Sequence, residues 1–578
     1  MAQWEKSIES KETYLWSLYQ EGIDYQNRTG IRESIPKNVD FYEGRQWPAP
    51  TESTKNLPRP VVNIVKMICT SKKSSILSTP VRIIYKSYTA GTDLEKLNSF
   101  ADYIQKELNQ EGLDKLAIDD GIKKGSYFYH YYWDNNALSP SGRVEGSVRC
   151  EIIDPLNIFF SNPAQLDEQR QDWILIATHT DIRSLHRICD KDLFSKIKAE
   201  KQENDKGITL LTRYFRLDGE VWCERATKES IINKPFPITP TVNLTQDKGK
   251  EKVLEALLFP NSTAARDEGE GNEPSDLKKK IDYIASFNKV NIAKATLYPI
   301  VCGYYERKEG SIYGISEVEG IIPNQKAINF NIAMSLLNAQ QCAWGKYIAL
   351  PNALKGQRIS NTPGQVLIDH SGTGDGIKRM EEQGLSNVPM ELTDTLTELT
   401  RTVTGAGQIL SGEALSANMS GVAIAQLQAQ AEVPIEELRS SFWEVKKKQG
   451  KILAQFIRLY YYDKEFIRKT RDSKGNECEV CDYFYSKDYK SSILDVVVEP
   501  TRGTKASISS EINLLDTCLK TGKISLETYI KAYPEGVISN KSSILEQIEA
   551  EKASETEQLR KELSHYKNSK TLDPVSII

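Results

Sequence analysis

Between Gly314 and Tyr461 the apolar and polar positions follow an order unusual for a compact enzyme. Over residues 316–341, Val318, Ile321, Ile322, Ile328, Ile332, Leu336 and Leu337 recur at helical spacing, which predicts one helix with an apolar side. The other side is neutral and polar, with Asn324, Gln325, Asn329, Asn331, Ser335 and Asn338, and Lys326 is the only charge between Gln325 and Gln341. A solvated surface helix carries more charge. Packing between neighbouring subunits is therefore expected, with a buried core helix of a monomer as the alternative. A Gly/Pro-rich excursion follows, in which 347–351 and 361–369 are predicted as two short strands, and a helix is expected to return over 389–403. The stretch from Thr404 to Ala431 holds no lysine or arginine, and Glu413 is its only charge. Residues 405–421 read as a polar loop of small residues. A long helix is then expected from Ser420 or Gly421 to about Tyr462, with Val422, Leu427, Leu438, Phe442, Leu453, Phe456 and Tyr460 as its apolar stripe. Pro434 removes a backbone donor and is expected to bend it.

Upstream, Trp4, Ile8, Tyr14, Leu15, Leu18, Tyr19 and Ile23 predict an amphipathic opening helix over 4–27, followed by an aromatic turn at 41–48. A second helix is expected to begin after Pro58-Arg-Pro-Val-Val-Asn-Ile-Val65 and to stop near Thr79-Pro80. A third is expected over 93–112. Residues 126–185 read as β-rich, with strands at 127–133, 148–153 and 173–179, and a hairpin joins 208–215 to 219–225 through Leu-Asp-Gly. Over 243–280 lysine, glutamate, glycine and serine dominate without apolar periodicity, which predicts an exposed insertion. Order resumes with a strand at 297–305. After the long helix, strands are expected at 481–485 and 493–499, and three helices at 508–519, 525–532 and 542–566.

Composition narrows the class. A chain of 578 residues with 39% hydrophobic and 27% charged residues reads as a multidomain globular protein. It has neither a spanning apolar run nor the apolar core of a signal peptide, so a cytosolic protein with no membrane association is expected. Nine cysteines are scattered, and only Cys478 and Cys481 form a CxxC, read as ordinary thiols because no second ligand pair lies nearby. The formal charge of −4 argues against tight wrapping of nucleic acid; a DNA partner would be passed or surrounded. No phosphate loop, nucleophile elbow or HExxH occurs, and Gly372-Thr-Gly-Asp-Gly376 reads as a β-turn. The five histidines are dispersed, and the pairs Asp119-Asp120 and Glu381-Glu382 read as solvated. No catalytic residues, metal ligands or cofactor are expected.

The order of parts resembles the portal proteins of tailed bacteriophages, the head-to-tail connectors. Phe41-Tyr-Glu-Gly-Arg-Gln-Trp47 with Arg59-Pro-Val-Val-Asn63 is similar to the opening of that family. Trp133-Asp-Asn-Asn136 and Ile153-Asp-Pro-Leu-Asn-Ile-Phe-Phe160 resemble its wing sheet. Tyr313-Gly-Ile-Ser-Glu-Val-Glu319, leading into 325–331, resembles its first stem helix, and Ser420-Gly-Val-Ala-Ile424 with Leu427-Gln-Ala-Gln430 the restart after its tunnel loop. The resemblance implies an α+β, mainly helical portal fold of wing, stem, clip and crown, assembled as a ring of about twelve subunits around a central channel. The implied parts are an N-terminal wing 1–315 carrying the exposed insertion 243–280, stem helices 316–341 and 389–404, a clip 342–388 and a tunnel loop 405–421. The kinked helix with C-terminal wing strands would occupy 422–503 and a helical crown 504–578. It further implies a virion protein at the capsid portal vertex, assembled in the host cytoplasm, through which double-stranded DNA is packaged and ejected. Its partners would be further copies of itself, the DNA in the channel, the terminase large subunit, the major capsid and scaffolding proteins, and a neck or tail adaptor. Under this reading Gly405, Gln408, Ser411, Gly412, Asn418, Ser420 and Gly421 line the channel, and Gln325, Asn329, Ile332 and Leu336 contact neighbouring stems. Lys355, Arg358 and Asn361 belong to the docking lobe, and Pro434 is the kink. The alternatives are another phage head or neck component, or a packaging-associated nuclease or ATPase, which would need a phosphate loop or clustered carboxylates.

Overall fold

A computed structural model of the chain describes residues 13–88, 93–137, 146–185, 189, 191–200, 207–239, 294–343, 347–360, 365–372, 375–379, 388–405, 421–461, 464–471, 477–489, 494–500, 505–533 and 541–569. The fold is α+β, and all its strand pairs are antiparallel. A five-stranded sheet runs in the order Ile158–Phe160, Trp173–Asp181, Gly207–Leu217, Glu220–Ala226 and Ile231–Pro237. The two-residue turn Asp218-Gly219 joins its third and fourth strands with positive φ at both positions, 51° and 76°, as a tight hairpin requires. Strands Ile158–Phe160 and Trp173–Asp181 are buried at consecutive positions because both faces are covered there. Phe159, Leu175, Ala177, Leu211 and Ala226 pack with Leu15 and Leu18 of helix Tyr14–Arg28. Phe160, Ile174, Ile176, Tyr214 and Cys223 pack towards a three-stranded sheet, whose order is Ser147–Ile153, Ser126–Asp134, Ile300–Tyr304.

The aromatic strand Ser126–Asp134 separates two cores by simple alternation. Phe128 joins the core between the sheets, while Tyr127, Tyr129 and Tyr131 enter the largest core. That core gathers helices Ile64–Ile76, Leu94–Glu107 and Gln110–Lys124 with the C-terminal half of helix Gly421–Tyr460. At its centre Phe100, with no exposed surface, stacks on Phe484 at a 4.0 Å centroid distance and meets Tyr461 and Phe466 edge-on. Strand Val81–Ser87 pairs with Leu494–Pro500, and hairpin Lys464–Arg471/Glu477–Phe484 covers helix Leu94–Glu107.

Several sequence expectations are corrected. The opening helix is Tyr14–Arg28, and residues 1–12 lie outside the described set. Of the expected aromatic turn 41–48, residues 41–43 close an unforeseen helix, Ile31–Glu43, which contains Pro36, and the chain turns at Gly44 with φ 92°. The span 93–112 is two helices broken at Asn109, which takes a left-handed φ of 50°; the second, Gln110–Lys124, buries Gln110 and Asp114 beside Ala117, Ile118 and Ile122 and so shows no clean apolar stripe. Helix Lys191–Glu200 and strands Val81–Ser87, Ile231–Pro237 and Lys464–Arg471 also escaped the pattern; the two strands Val81–Ser87 and Lys464–Arg471 depend on partners that periodicity does not reveal. In the excursion, Tyr347–Ala349 pairs with Ile377–Arg379 and not with 361–369; residues 365–369 form no strand, and 361–364 lie outside the described set. The expected insertion 243–280 also lies outside it. The three C-terminal helices are Lys505–Lys520, Leu526–Ala532 and Lys541–Ser569.

Removing the central ring tests the packing account. Phe100→Ala is expected to destabilise the fold by about 3–5 kcal/mol, because the cavity is walled by rigid aromatic neighbours. A denaturant midpoint equal to that of the parent would contradict this.

Candidate functional site

Two glycine backbones set the start of helix Glu317–Ala343. A Cβ on Gly314 would lie 2.4 Å from the Gly125 carbonyl oxygen, and one on Gly125 would lie 2.5 Å from the Gly314 oxygen, so neither position has room for a side chain. The Ser126 hydroxyl accepts from Gly314 N at 2.7 Å, and the Ser316 hydroxyl donates to the Ile122 carbonyl and accepts from Val318 N. Glu317 then receives Lys72 Nζ at 2.7 Å and the Tyr305 hydroxyl at 2.7 Å, with the Lys72 and Glu317 side chains about nine-tenths buried. The motif Tyr313-Gly-Ile-Ser-Glu-Val-Glu319 is thus a packing device that aims the helix.

One turn further on, Gln325 Oε1 accepts from Ile64 N at 3.0 Å and Val65 N at 3.4 Å, while its Nε2 donates to the Val62 carbonyl at 2.7 Å and to Asn329 Oδ1 at 3.0 Å. The Ile64 and Val65 amides are first-turn donors of helix Ile64–Ile76 that no intrahelical acceptor can reach, so Gln325 caps that helix from a distance of some 260 residues in sequence. Asn329 accepts from Val62 N and donates to Gln46 Oε1 at 2.6 Å. The segment 41–63 is folded back by Trp47 Nε1 to the Pro60 carbonyl, Arg59 to the Pro48 carbonyl and Asn63 Nδ2 to the Tyr42 carbonyl. The expectation that Gln325 and Asn329 face a neighbouring subunit is therefore corrected: they are 1% and 3% exposed and bonded within the chain. Ile332 is half-buried against the core, whereas Leu336, Phe330 and Met334 are exposed.

Helix Val388–Val403 packs along Glu317–Ala343, with Asn324 Nδ2 donating to the buried Thr400 hydroxyl at 2.9 Å. Its threonines donate to their own backbone four residues back: Thr393, Thr395, Thr397, Thr400 and Thr402 all do so at 2.6–2.8 Å. The hydroxyl protons are thereby satisfied inside the helix. Val388, Leu392, Leu399 and Val403 share one exposed face at helical spacing, and Glu391, Asp394 and Glu398 share another. Gly405 ends the helix with φ 69°, where a Cβ would lie 3.2 Å from the Pro434 ring. The long helix is continuous through Pro434 from its first residue, Gly421. Gln408, Ser411, Gly412, Asn418 and Ser420 lie outside the described residues, as does Asn361.

Among the described residues the lobe between the two helices has scarcely any core: Ala353 is the fully buried apolar residue there, whereas Tyr347, Ile348, Leu350, Val366 and Ile368 are exposed. Polar side chains hold it instead. Gln357 accepts from Ile368 N, Gln365 accepts from Ser360 N and donates to the Arg358 carbonyl, and Asp369 accepts from Ser371 N at 2.8 Å and Gly376 N at 2.9 Å. Lys355 and Arg358 are exposed, and Lys355 takes a left-handed φ of 38°. Hydrogen bonds from the Ser371 side chain and backbone, then from Gly376 N, hold the Asp369 carboxyl below the usual carboxylate range.

The acidic pair Asp119-Asp120 is not solvated as expected. Asp119 contacts Lys73 at 2.9 Å and Lys123 at 2.5 Å, and Asp120 contacts Lys124 at 3.0 Å. Burial acts to raise both; for Asp119 the two lysines outweigh it and the net shift is downward, while for Asp120 burial prevails and the shift is upward. These are structural ion pairs on helix Gln110–Lys124. His130 joins the two sheets, through Nδ1 to Glu151 and Nε2 to the Tyr214 hydroxyl, both at 2.8 Å. Cys478 and Cys481 lie on one strand, and Cys481 donates to Glu465. Burial pushes the Cys69 thiol up to about 12 and Cys223 to about 11, far from a nucleophile's range. Among the described residues no group of three His, Cys, Asp or Glu is placed to hold a metal, and no helix is long and apolar enough to cross a membrane.

The helix pair, the lobe between its members and the long helix follow one another along the chain. Residues 288–503 match the family model described as phage P22-like portal protein, and this match supports a phage portal protein family for the chain. The match covers the helix pair, the lobe and the long helix; residues 1–287 and 504–578 lie outside it. No curated protein sequence matches the chain.

Two measurements probe this site. Gln325→Leu removes the acceptor of the Val65 amide and one of two bonds at each of the Ile64 amide and the Val62 carbonyl, which stay bonded to each other at 2.9 Å, and is expected to cost about 1–3 kcal/mol, with faster hydrogen exchange at Val65; parent-like stability and exchange would refute the remote cap. The second concerns Asp369, whose folded pKa is lowered. Its contribution to the turn is complete above the unfolded value of about 3.9 and lost as pH falls through the lowered value. Protection of the Gly376 amide should therefore persist at neutral pH and disappear only in acid, and Asp369→Asn should weaken it at neutral pH. An unchanged Gly376 exchange rate in that variant would count against the account.

Proposed function

We propose that the chain is the subunit of a portal ring of about twelve copies, through which double-stranded DNA enters and leaves the capsid. The wing is 1–315 with 422–503, the stem is the helix pair, the clip is 342–388 between them, 405–421 is the tunnel loop, and 504–578 forms the crown. The terminase large subunit and later the neck or tail adaptor dock on the clip around Lys355, Arg358 and Asn361. The major capsid and scaffolding proteins meet the wing.

One observation carries the reading: the apolar surface left open on the helix pair and the lobe. Val388, Leu392, Leu399 and Val403, with Phe330, Met334 and Leu336 and the lobe's Tyr347, Ile348 and Leu350, are exposed in the single chain. Apolar residues scattered singly need no explanation, but a continuous stripe along one helix does. Neighbouring copies in a ring cover it. The acidic face Glu391, Asp394 and Glu398 is a separate surface, suited to a channel that repels phosphate and lets DNA slide, and the internally bonded threonines add no strong donor to it.

Electron microscopy of the purified protein is expected to show rings with a central hole of about duplex width, roughly 20 Å or more, allowing for both strands and their grooves. Leu392→Glu with Leu399→Glu should leave a folded chain by circular dichroism yet abolish rings, since burying two carboxylates in the stripe is costly. A parent protein that stays monomeric at micromolar concentration, or a double variant that still forms rings, would count against the reading.

A further inference from the structure

A recess of about 160 Å³ lies where helix Tyr14–Arg28 meets strand Ile158–Phe160 at the edge of the five-stranded sheet. Gly22 permits that approach, since a Cβ there would fall 2.3 Å from the Phe159 ring. Five aromatic side chains line the recess: Tyr25, Phe159, Phe160, Trp173 and Tyr313. They hold one another in place. Tyr25 stacks on Tyr313 at a 6.4 Å centroid distance, and Phe160 meets Tyr313 edge-on at 5.9 Å. Glu21, one helical turn before Tyr25, is the single charged residue of the lining; it is exposed and forms no ion pair with any described residue. Two more exposed carboxylates adjoin it, likewise without an ion pair among the described residues. Asp24 is three residues further along the same helix, and Asp172 is held beside the lining by its amide, which donates to the Ser161 hydroxyl at 3.0 Å. Behind the rings, the fully buried Gln26 donates from Nε2 to the Tyr313 hydroxyl at 3.3 Å and to the Pro155 carbonyl at 3.1 Å, while its Oε1 has no donor among the described residues.

The faces of aromatic rings are electronegative, so a ring-lined recess with a carboxylate at its mouth attracts a cation and offers an anion no partner. One such contact is already made next to it: Arg28 Cζ lies 5.9 Å from the Tyr25 ring centroid. Arg32 lies near enough to Tyr313 to act on it through space, but neither arginine lines the recess. We propose that this recess receives an arginine side chain of a partner polypeptide, with the guanidinium against the Tyr25 and Trp173 rings and its donors turned to Glu21. Arginine suits it better than lysine, because a planar, weakly hydrated group can lie on a ring face and still present several donors. The unmet acceptor of Gln26 adds to the same polarity. Asp24 and Asp172 carry the negative charge beyond the recess, where it acts on basic residues flanking the arginine and is of no use to a lone small cation. The site is complete within one chain and does not rest on the ring reading.

The test titrates the full-length protein, at low salt, into a fluorescently labelled peptide with two arginines separated by glycine, followed by anisotropy. The citrulline counterpart keeps the shape and loses the charge, and is expected to bind about tenfold or more weakly. Glu21→Gln and Trp173→Leu are each expected to weaken the arginine peptide about fivefold or more. Circular dichroism checks that the variants fold, and Tyr25→Leu replaces Trp173→Leu if that one does not. Equal affinity for the two peptides, or no binding of the arginine peptide at millimolar concentration, would overturn the inference. So would a loss in Glu21→Gln with none in the ring variants, which would mark a surface ion pair without the rings. Free arginine amide that competes as tightly as the peptide would mark a small-cation site in place of a docking one. Peptide binding by protein that forms no rings leaves this inference intact and counts only against the portal reading.

Discussion

The direction of one helix governs the arrangement of the rest, and that direction is set where the Gly314 and Gly125 backbones touch. A side chain at either position would push helix Glu317–Ala343 away from helix Gln110–Lys124. Immediately after the contact comes the buried Lys72–Glu317 pair with the Tyr305 hydroxyl. Such a pair adds little net stability over an apolar substitute, but breaking it leaves an uncompensated buried charge, so it specifies one geometry. Gln325 and Asn329 continue the same logic, because each bonds to the backbone of residues 62–65 from across the fold. The helix is thus clamped over its first half and released over its second, where Phe330, Met334 and Leu336 are exposed.

The elements whose order signals the family were legible because their signals are local. The long helices follow from apolar spacing, the hairpin at Asp218-Gly219 from its turn residues, and strand Ser126–Asp134 from its aromatics. The missed elements depend on remote partners. Strand Lys464–Arg471 is highly charged and becomes a strand through its hairpin partner over helix Leu94–Glu107; Ile377–Arg379 is three residues long and paired across the lobe. The amides of Gln325 and Asn329 misled for a related reason. A neutral polar helix face reads the same whether its partner is another subunit or the backbone of residues 62–65, and sequence spacing carries no information on which.

The lobe illustrates a different physical regime from the sheets and helices around it. Those are held by large apolar cores in which Phe100, Tyr129 and Phe159 are almost wholly enclosed. The lobe is held by Gln357, Gln365 and Asp369 bonded to backbone, with its apolar side chains outward. Hydrogen bonds of this kind keep a shape at little net stability per bond. A lobe built in that way can exchange its surface side chains without disturbing a core.

The pairing of strand Val81–Ser87 with Leu494–Pro500 has a consequence for how the protein is made. From Ser87 to Leu494 is a separation of 407 residues (494 − 87), all of which must leave the ribosome before the two strands can meet. At about 5–20 residues per second that wait lasts roughly 20–80 s. During it, Ile83 and Tyr85 lack the strand that finally pairs with theirs. The largest core therefore closes only on a chain synthesised through its second wing segment. A chain that stops before Leu494 leaves strand Val81–Ser87 unpaired, so the topology itself makes folding of this core wait on nearly the whole chain.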